Sequence, residues 1–472
     1  MRAGLIAVCL VSAVALAACG NAGSSNSKGP VVTTVPGGPT ITEASGAELQ
    51  QNLPNSSQGV TNDAINVAAI TSKTNILGGH YHEYVDGIQD YFDYINSQNG
   101  IYGRKLKITS DRDDNFLQNE QTVKTSLAQD KAFATFIASP VFSGAPDIAA
   151  ATSMPTFLWN INPEMAGHPN IFGTIGAICN NCLDMGTPAF LKQEGYSKIG
   201  VLAYGVTASS KDCANAVKNS LKKYPTAQVV YFNNSLAFAQ PDLSAQVSDM
   251  KKAGVQYIYT CIDTSEALIL GKELKRQGLN AVQQLPNAYD QQFVQQNAQY
   301  LEGDYIIPQF LPPEKDANLP ELQLFKQWST KSGKTVRELT YEGWIAANMF
   351  VHALKLAGPN FTQQKVIDSL NQDTNFSANG MIVPIDWTKQ HEDPRCDNSA
   401  PSPEQHCPGL PTGAHNPKWD GKWNCQTILR VKSGTLVPVL DQPGKPWVCL
   451  PGDPNAATIP AATYESFAPA GG

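Results

Sequence analysis

The side chains with the most chemistry in this sequence are its ten cysteines. Cys179-Asn180-Asn181-Cys182 has the spacing of a redox dithiol, of half a zinc site, or of a short disulfide loop. Redox dithiols open a helix beside a thioredoxin-like strand. The residues around Cys179 supply no such strand, so a structural disulfide is the expectation. His80-Tyr81-His82-Glu83 puts two imidazoles and a carboxylate within one turn, a set that can ligate a metal. No complementary His or Cys pair lies nearby, and a lid or a helix start is the expected role. No Gly-x-Ser-x-Gly elbow, phosphate-binding loop or His-Glu-x-x-His occurs. With seven histidines and no paired acid/base signature, the residues argue for binding rather than catalysis. No metal or cofactor is expected.

Composition narrows the class further. Lys and Arg total 34 against 41 Asp and Glu, a net charge of −7, which argues against a nucleic-acid partner. A hydrophobic share of 42%, arranged periodically, argues against global disorder. Met1-Arg2 precedes Ala3 to Ala18, sixteen residues without a charge. That run is short for a transmembrane helix and fits the core of a signal peptide, 1–18. Leu16-Ala17-Ala18-Cys19-Gly20 resembles the bacterial lipobox, which implies that Cys19 is acylated and becomes the first mature residue. Residues 19–62 then read as a lipidated N-terminus and flexible tether, since Asn21 to Gly38 is mostly Ser, Gly, Pro, Thr and Asn. A coil of about forty residues reaches roughly 35 Å, enough to hold a body clear of a membrane. Cys9 leaves with the signal, and eight cysteines remain for pairing outside the cytoplasm.

The chemistry needs elements to position it. Ile65 to Ile70 is a nearly continuous apolar run, as in a buried parallel strand. Val85, Ile88, Phe92 and Ile95 follow at helical spacing. Leu106–Thr109, Phe133–Ile137 and Thr156–Trp159 read as further strands, with a helix through Val123 and Leu127. A second block repeats the pattern: strands at Lys198–Ala203, Gln228–Phe232 and Val255–Cys261, and helices through Cys213-Val217-Leu221, Leu243-Val247-Met250 and Leu270-Leu274. Strands alternating with helices predict an α/β fold of doubly wound parallel sheets, which bind ligands at the carboxyl ends of their strands.

From Ile65 onward the chain resembles the type I periplasmic binding proteins, in the branch of the leucine/isoleucine/valine-binding protein. The resemblance is carried by Gly87, Tyr91-Phe92, Ile95-Asn96 and Asn99-Gly100-Ile101-Tyr102-Gly103-Arg104-Lys105-Leu106. Asp113-Asp114, Ser139-Pro140-Val141-Phe142-Ser143-Gly144, Pro155-Thr156-Phe157-Leu158, Pro163-Glu164, Tyr341 to Gly358 and Asn379-Gly380 continue it. It implies two doubly wound parallel-sheet lobes joined by three crossovers, near 175–181, 304–309 and 373–381. Lobe one is placed at 63–178 plus 309–373, and lobe two at 181–305 plus 380–450. The insertion 389–424 is rich in Pro and Cys, and 451–472 reads as a mobile tail. The resemblance also implies a monomer on the extracytoplasmic face that closes on a small amino acid, amide or organic acid and delivers it to an ABC permease. A ligand sensor of the same fold is the alternative, and a secreted enzyme the remaining one.

The resemblance assigns site positions residue by residue. Ser143 and Gly144 fall where the family holds a carboxylate, and capping a helix is the other role open to that serine. Trp159 and Asn160 replace the family's small residues, and Trp159 suits a strand-end core position equally. The ammonium-binding carboxylate falls on the uncharged Asn287, two residues before Tyr289. Either Asp263 substitutes or the ligand has no ammonium, and Asp263 reads equally as the N-cap of the helix from Thr264. The missing charge shifts the expectation toward a less charged or purely anionic ligand. His80 or Tyr81 supplies a lid, and Ser209 is a further candidate. Of 105 formal cysteine pairings, the placement of the elements selects Cys179–Cys182, Cys213–Cys261, Cys396–Cys407 and Cys425–Cys449.

Overall fold

Residues 32–34, 40–159, 161–162, 167–174, 176, 185–388, 425–450 and 458–467 are described by the computed structural model. Two short strands, β1 (Val32–Thr34) and β2 (Thr40–Thr42), form an antiparallel ribbon ahead of the main body. The first sheet comes from β3 (Ala64–Thr71), α1 (Glu83–Ser97), β4 (Lys105–Asp113), α2 (Asn119–Gln129), β5 (Ala134–Ala138), α3 (Ala145–Ala150), β6 (Thr156–Leu158) and β7 (Ile171–Gly173). Its five strands are parallel, in the order β4-β3-β5-β6-β7. Strand character follows position. β5 is buried at every residue and lies inside the sheet, whereas β4 has several charged residues and forms an edge. In α1, Tyr84, Ile88, Tyr91, Phe92 and Ile95 make the inward face that the apolar spacing predicts.

The second sheet is built from α4 (Gly186–Glu194), β8 (Lys198–Tyr204), α5 (Ala208–Lys223), β9 (Gln228–Leu236), α6 (Ser244–Ala253), β10 (Tyr257–Cys261), α7 (Thr264–Gln277), β11 (Val282–Leu285), α8 (Gln291–Gln296), α9 (Ala298–Leu301) and β12 (Tyr305–Ile306). The chain then returns to the first sheet as α10 (Pro320–Ser332), α11 (Glu338–Ala357) and α12 (Gln363–Leu370). α11 is buried on nearly every face and packs along α1. The return to the second sheet passes through residues 376–382, beside the outgoing segment, where the Leu311 amide donates to the Met381 carbonyl at 2.7 Å. β13 (Cys425–Gln426), β14 (Ile428–Lys432), β15 (Thr435–Val439), β16 (Trp447–Cys449) and β17 (Thr463–Glu465) complete the chain. β14 joins the second sheet antiparallel to β12, and β15 pairs antiparallel with β14, giving the order β15-β14-β12-β11-β10-β8-β9.

Two expectations from the sequence need correction. The stretch 451–472 is not a free tail throughout, because β17 pairs with β16, which pairs in turn with β13. The tether 19–62 is likewise shorter than expected. Glu43 lies against His352 and Lys355, with Nζ of Lys355 at 3.0 Å, and the Ala44 amide donates to the Lys355 carbonyl. Further on, Arg104, wholly buried, donates to the carbonyls of Leu53 and Thr61. Asn55 donates to the Phe361 carbonyl at 2.8 Å. Polar composition concealed this attachment, since many of its contacts are hydrogen bonds and ion pairs, joined by a few scattered apolar residues, Ile41, Ala44, Leu49 and Val60, that form no periodic run.

The attachment is expected to respond to pH. His352 Nε2 lies 2.6 Å from Asp373 and Nδ1 lies 3.6 Å from Glu43. Burial pulls the His352 pKa down, but the two carboxylates outweigh it and push it up to about 9. Burial pushes Glu43 up, but His352 and Lys355 outweigh it and hold it down to about 2. The histidine's contribution to stability is complete below its ordinary 6.5 and is lost as pH rises through about 9. The glutamate's is complete above 4.5 and is lost as pH falls through about 2. Urea unfolding across pH is expected to lose on the order of 2 kcal/mol along the alkaline limb. His352→Gln should flatten that limb, and an unchanged slope in the variant would assign it elsewhere.

Candidate functional site

The carboxyl ends of the two sheets face each other. Loops after β3, β5 and β6 meet loops after β8, β10 and β11 around a cavity of about 250 Å³. Leu77, Tyr81, Val141, Trp159 and Ile161 line it from the first sheet. Tyr204, Ser209, Phe238, Tyr259, Asp263 and Asn287 line it from the second. A second cavity of about 310 Å³ adjoins it, with Gly79, His80, Glu83, Lys272, Asp290 and Arg337 on its walls. Tyr81, Asp263, Asn287 and Glu338 line both cavities and stand between them.

Asp263 holds this partition together. Its amide donates to Tyr204 Oη at 3.0 Å. One carboxylate oxygen accepts from the Thr264 amide at 2.7 Å, capping α7, and the other accepts from the Tyr81 hydroxyl of the opposite side. The cap and the cleft position therefore coincide in one residue. Burial raises the Asp263 pKa to about 6 against the lowering effect of its hydrogen bonds. Tyr81 in turn packs on Trp159, ring centroids 5.7 Å apart. Other links cross the cleft as well. Phe116 meets Phe238 edge-on at 5.2 Å, and Arg337 pairs with Glu83 on its own side and Asp290 on the other.

The residues expected from the sequence divide. Tyr81, Trp159, Ser209, Asp263 and Asn287 come together around the first cavity. His80 lines only the second. Ser143 and Gly144 line neither cavity. The Ser143 hydroxyl accepts from the Glu120 amide at 3.1 Å in the first turn of α2, and the residue is exposed. Gly144 lies against the same helix, where an added Cβ would meet Val123 Cγ2 at 2.6 Å. Tyr289 also lines neither, since it packs between Phe310 and Tyr341 and its hydroxyl donates to Glu314 at 2.7 Å. Asn160 lies outside the described residues, as do Cys19, Cys179, Cys182, Cys396 and Cys407. His80 and His82 diverge, the first toward Glu83 and the second toward Asp111. Among the described residues, no group of three His, Cys, Asp or Glu is placed to hold a metal ion.

The Cys213–Cys261 disulfide forms as expected and belongs to the cavity wall, tying α5 to the end of β10. Cys425–Cys449 joins β13 to β16 at paired positions. Beside the disulfide, the Ser210 hydroxyl donates to the Cys261 carbonyl and accepts from the Tyr204 amide. Sequence reading missed Glu338, at the start of α11. Its Oε2 accepts from the Tyr289 amide at 3.1 Å, and burial raises its pKa to about 7. An acid in the first turn of a helix is ordinarily a solvated partner of the helix dipole, so the sequence carried no sign of this burial. Tyr204, Phe238 and Tyr259 were within reach of the rule that ligands sit at strand carboxyl ends. No Lys, Arg or His among the described residues lines the first cavity, so a purely anionic ligand meets no counter-charge there.

Known proteins match this architecture. A fatty acid ABC transporter substrate-binding protein from Thermomonospora curvata is 17% identical, with 81% of this chain and 93% of that one covered and a TM-score of 0.63. A leucine-binding protein from Thermotoga maritima is 16% identical, covering 80% and 98%, with a TM-score of 0.60. A branched-chain amino acid ABC transporter protein from Thermus thermophilus, solved with bound valine, is 15% identical, covering 80% and 96%, with a TM-score of 0.60. At these identities the likeness establishes the fold. No curated protein matches the sequence. Among the described residues no helix is long and apolar enough to cross a membrane. The family match runs over residues 64–397, well over half the chain, and by it this protein belongs to the periplasmic binding proteins, extracytoplasmic solute-binding proteins built on two sheets around a cleft.

Proposed function

We propose that the protein is the lipid-anchored capture component of an ABC importer. It takes a small organic solute between its two sheets and presents the closed form to a permease. The observation that carries this reading is the cavity between the sheets, walled by side chains from both and bridged by the Tyr81–Asp263 hydrogen bond. A site shared by two bodies couples occupancy to closure, because only the closed form completes the contacts. Cys19 supplies the anchor in this reading, and the residues before the ribbon supply the reach. The solved relatives named as ABC transporter proteins support the same role.

Calorimetry and solution scattering on the full chain, across amines, amides, amino acids and short acids, test the proposal. One ligand is expected per chain, with a fall in radius of gyration on binding. Asn287→Ala is expected to weaken that ligand about tenfold, as for the loss of a buried hydrogen bond to a polar group. Binding with no change in the scattering profile would count against capture by closure.

A further inference from the structure

The charge around the first cavity is one-sided. Among the described residues, its ionisable wall groups are the carboxyls of Asp263 and Glu338 and the phenols of Tyr81, Tyr204 and Tyr259. Both carboxyl residues are only 6% exposed. Hydrogen bonds orient Asp263, but none of the leading influences on it is a cation. Glu338 accepts from one amide, that of Tyr289, and among the described residues no Lys, Arg or His forms an ion pair with it. The nearest candidates in the adjoining cavity are already placed elsewhere. Arg337 pairs with Glu83 and Asp290. The exposed Lys272 has its amine 5.8 Å from the centre of the Tyr300 ring. The His80 side chain is more than half exposed, and the partial enclosure of its ring together with Arg337 lowers its pKa.

Taking the solute-binding reading as given, we propose that the cleft selects an organic cation: a protonated amine on an apolar body, with no carboxylate required. A buried carboxyl without a counter-charge is costly, and an entering ammonium removes that cost. Among the described residues, five aromatic side chains share the wall: Tyr81, Trp159, Tyr204, Phe238 and Tyr259. Their faces attract a cation, and their apolar area accommodates its hydrocarbon part. The carboxylate of an amino acid would meet no cation here, and the hydroxyl expected to hold it, Ser143, caps α2 outside the cavity.

Matched probes separate the charge types: 2-phenylethylamine, 2-phenylethanol, 3-phenylpropionate and phenylalanine, with isopentylamine, isopentanol and leucine as an aliphatic set. Titration calorimetry on the full chain is expected to rank the amine first in at least one set, by about tenfold or more over its alcohol. Glu338→Gln should cost the amine about tenfold and leave the alcohol nearly unchanged, with the urea midpoint reporting that the variant is folded. An acid, amino acid or alcohol that binds as tightly as the amine overturns the cation inference and leaves solute capture standing. An amine indifferent to Glu338→Gln and to Asp263→Asn overturns it as well. If no amine probe binds up to about 10 mM, the cation inference falls; the capture reading falls with it only if no solute of the broader screen binds or changes the scattering.

Discussion

Gly343→Ala is expected to destabilise the protein by about 3 kcal/mol, although alanine is the better helix former. By propensity alone the change in α11 would stabilise by roughly 1 kcal/mol. The helix contact reverses the sign. A Cβ on Gly343 would stand 1.9 Å from the Tyr84 carbonyl oxygen, and one on Gly87 would stand 1.9 Å from that of Thr340. The two glycines thus let α1 and α11 touch backbone to backbone. Neither obstacle is a side chain that can swing away, so the helices must separate. Because α11 begins at Glu338 beside the cavity, the separation displaces the cleft wall as well as the core. Gly87→Ala should behave alike, whereas Gly46→Ala, with open space around it, should fall within about 0.5 kcal/mol of the parent. Urea unfolding midpoints decide the matter. A Gly343→Ala protein as stable as the parent would show that the helices adjust freely.

How far the sequence foretold this molecule depends on the kind of interaction involved. Buried parallel strands such as β3, β5, β8 and β10 carry continuous apolar runs, and the structure has them where those runs lie. β7, β13, β16 and β17 have two or three residues each, too few for any period to show. The site divides in the same way. Trp159, Asp263 and Asn287 sit at or just beyond strand ends, where topology alone points to a ligand. Ser143 failed as a cavity residue because a helix start in the chain beside it, at Glu120, took its hydroxyl. Glu338 escaped notice because its burial depends on residues about fifty and more positions away, Tyr289 among them.

Arg337→Met is expected to open the cleft before it unfolds the protein. Arg337 stands ahead of α11 and reaches two carboxylates, Glu83 of α1 and Asp290, which caps α8 on the other side by accepting from the Phe293 amide at 2.9 Å. All three side chains are largely buried, so the guanidinium is the charge that makes two enclosed acids tolerable. Burial already raises the Glu83 pKa to about 7 with Arg337 opposing it. Removing one member of a buried pair costs about 3–5 kcal/mol, because the remaining charge is left without compensation. Here the molecule has a way to relieve it, since Asp290 belongs to the second sheet and regains water when the cleft opens. The cost should therefore appear as a closure free energy, weakening ligand binding about a hundredfold or more while the urea midpoint moves little. Scattering on the ligand-free variant should give a larger radius of gyration than the parent. Adding Glu83→Gln and Asp290→Asn to Arg337→Met should recover much of the closure, because neutral amides no longer demand a cation. A triple variant as open as the single one would show that Arg337 acts through packing of its stem rather than through its charge.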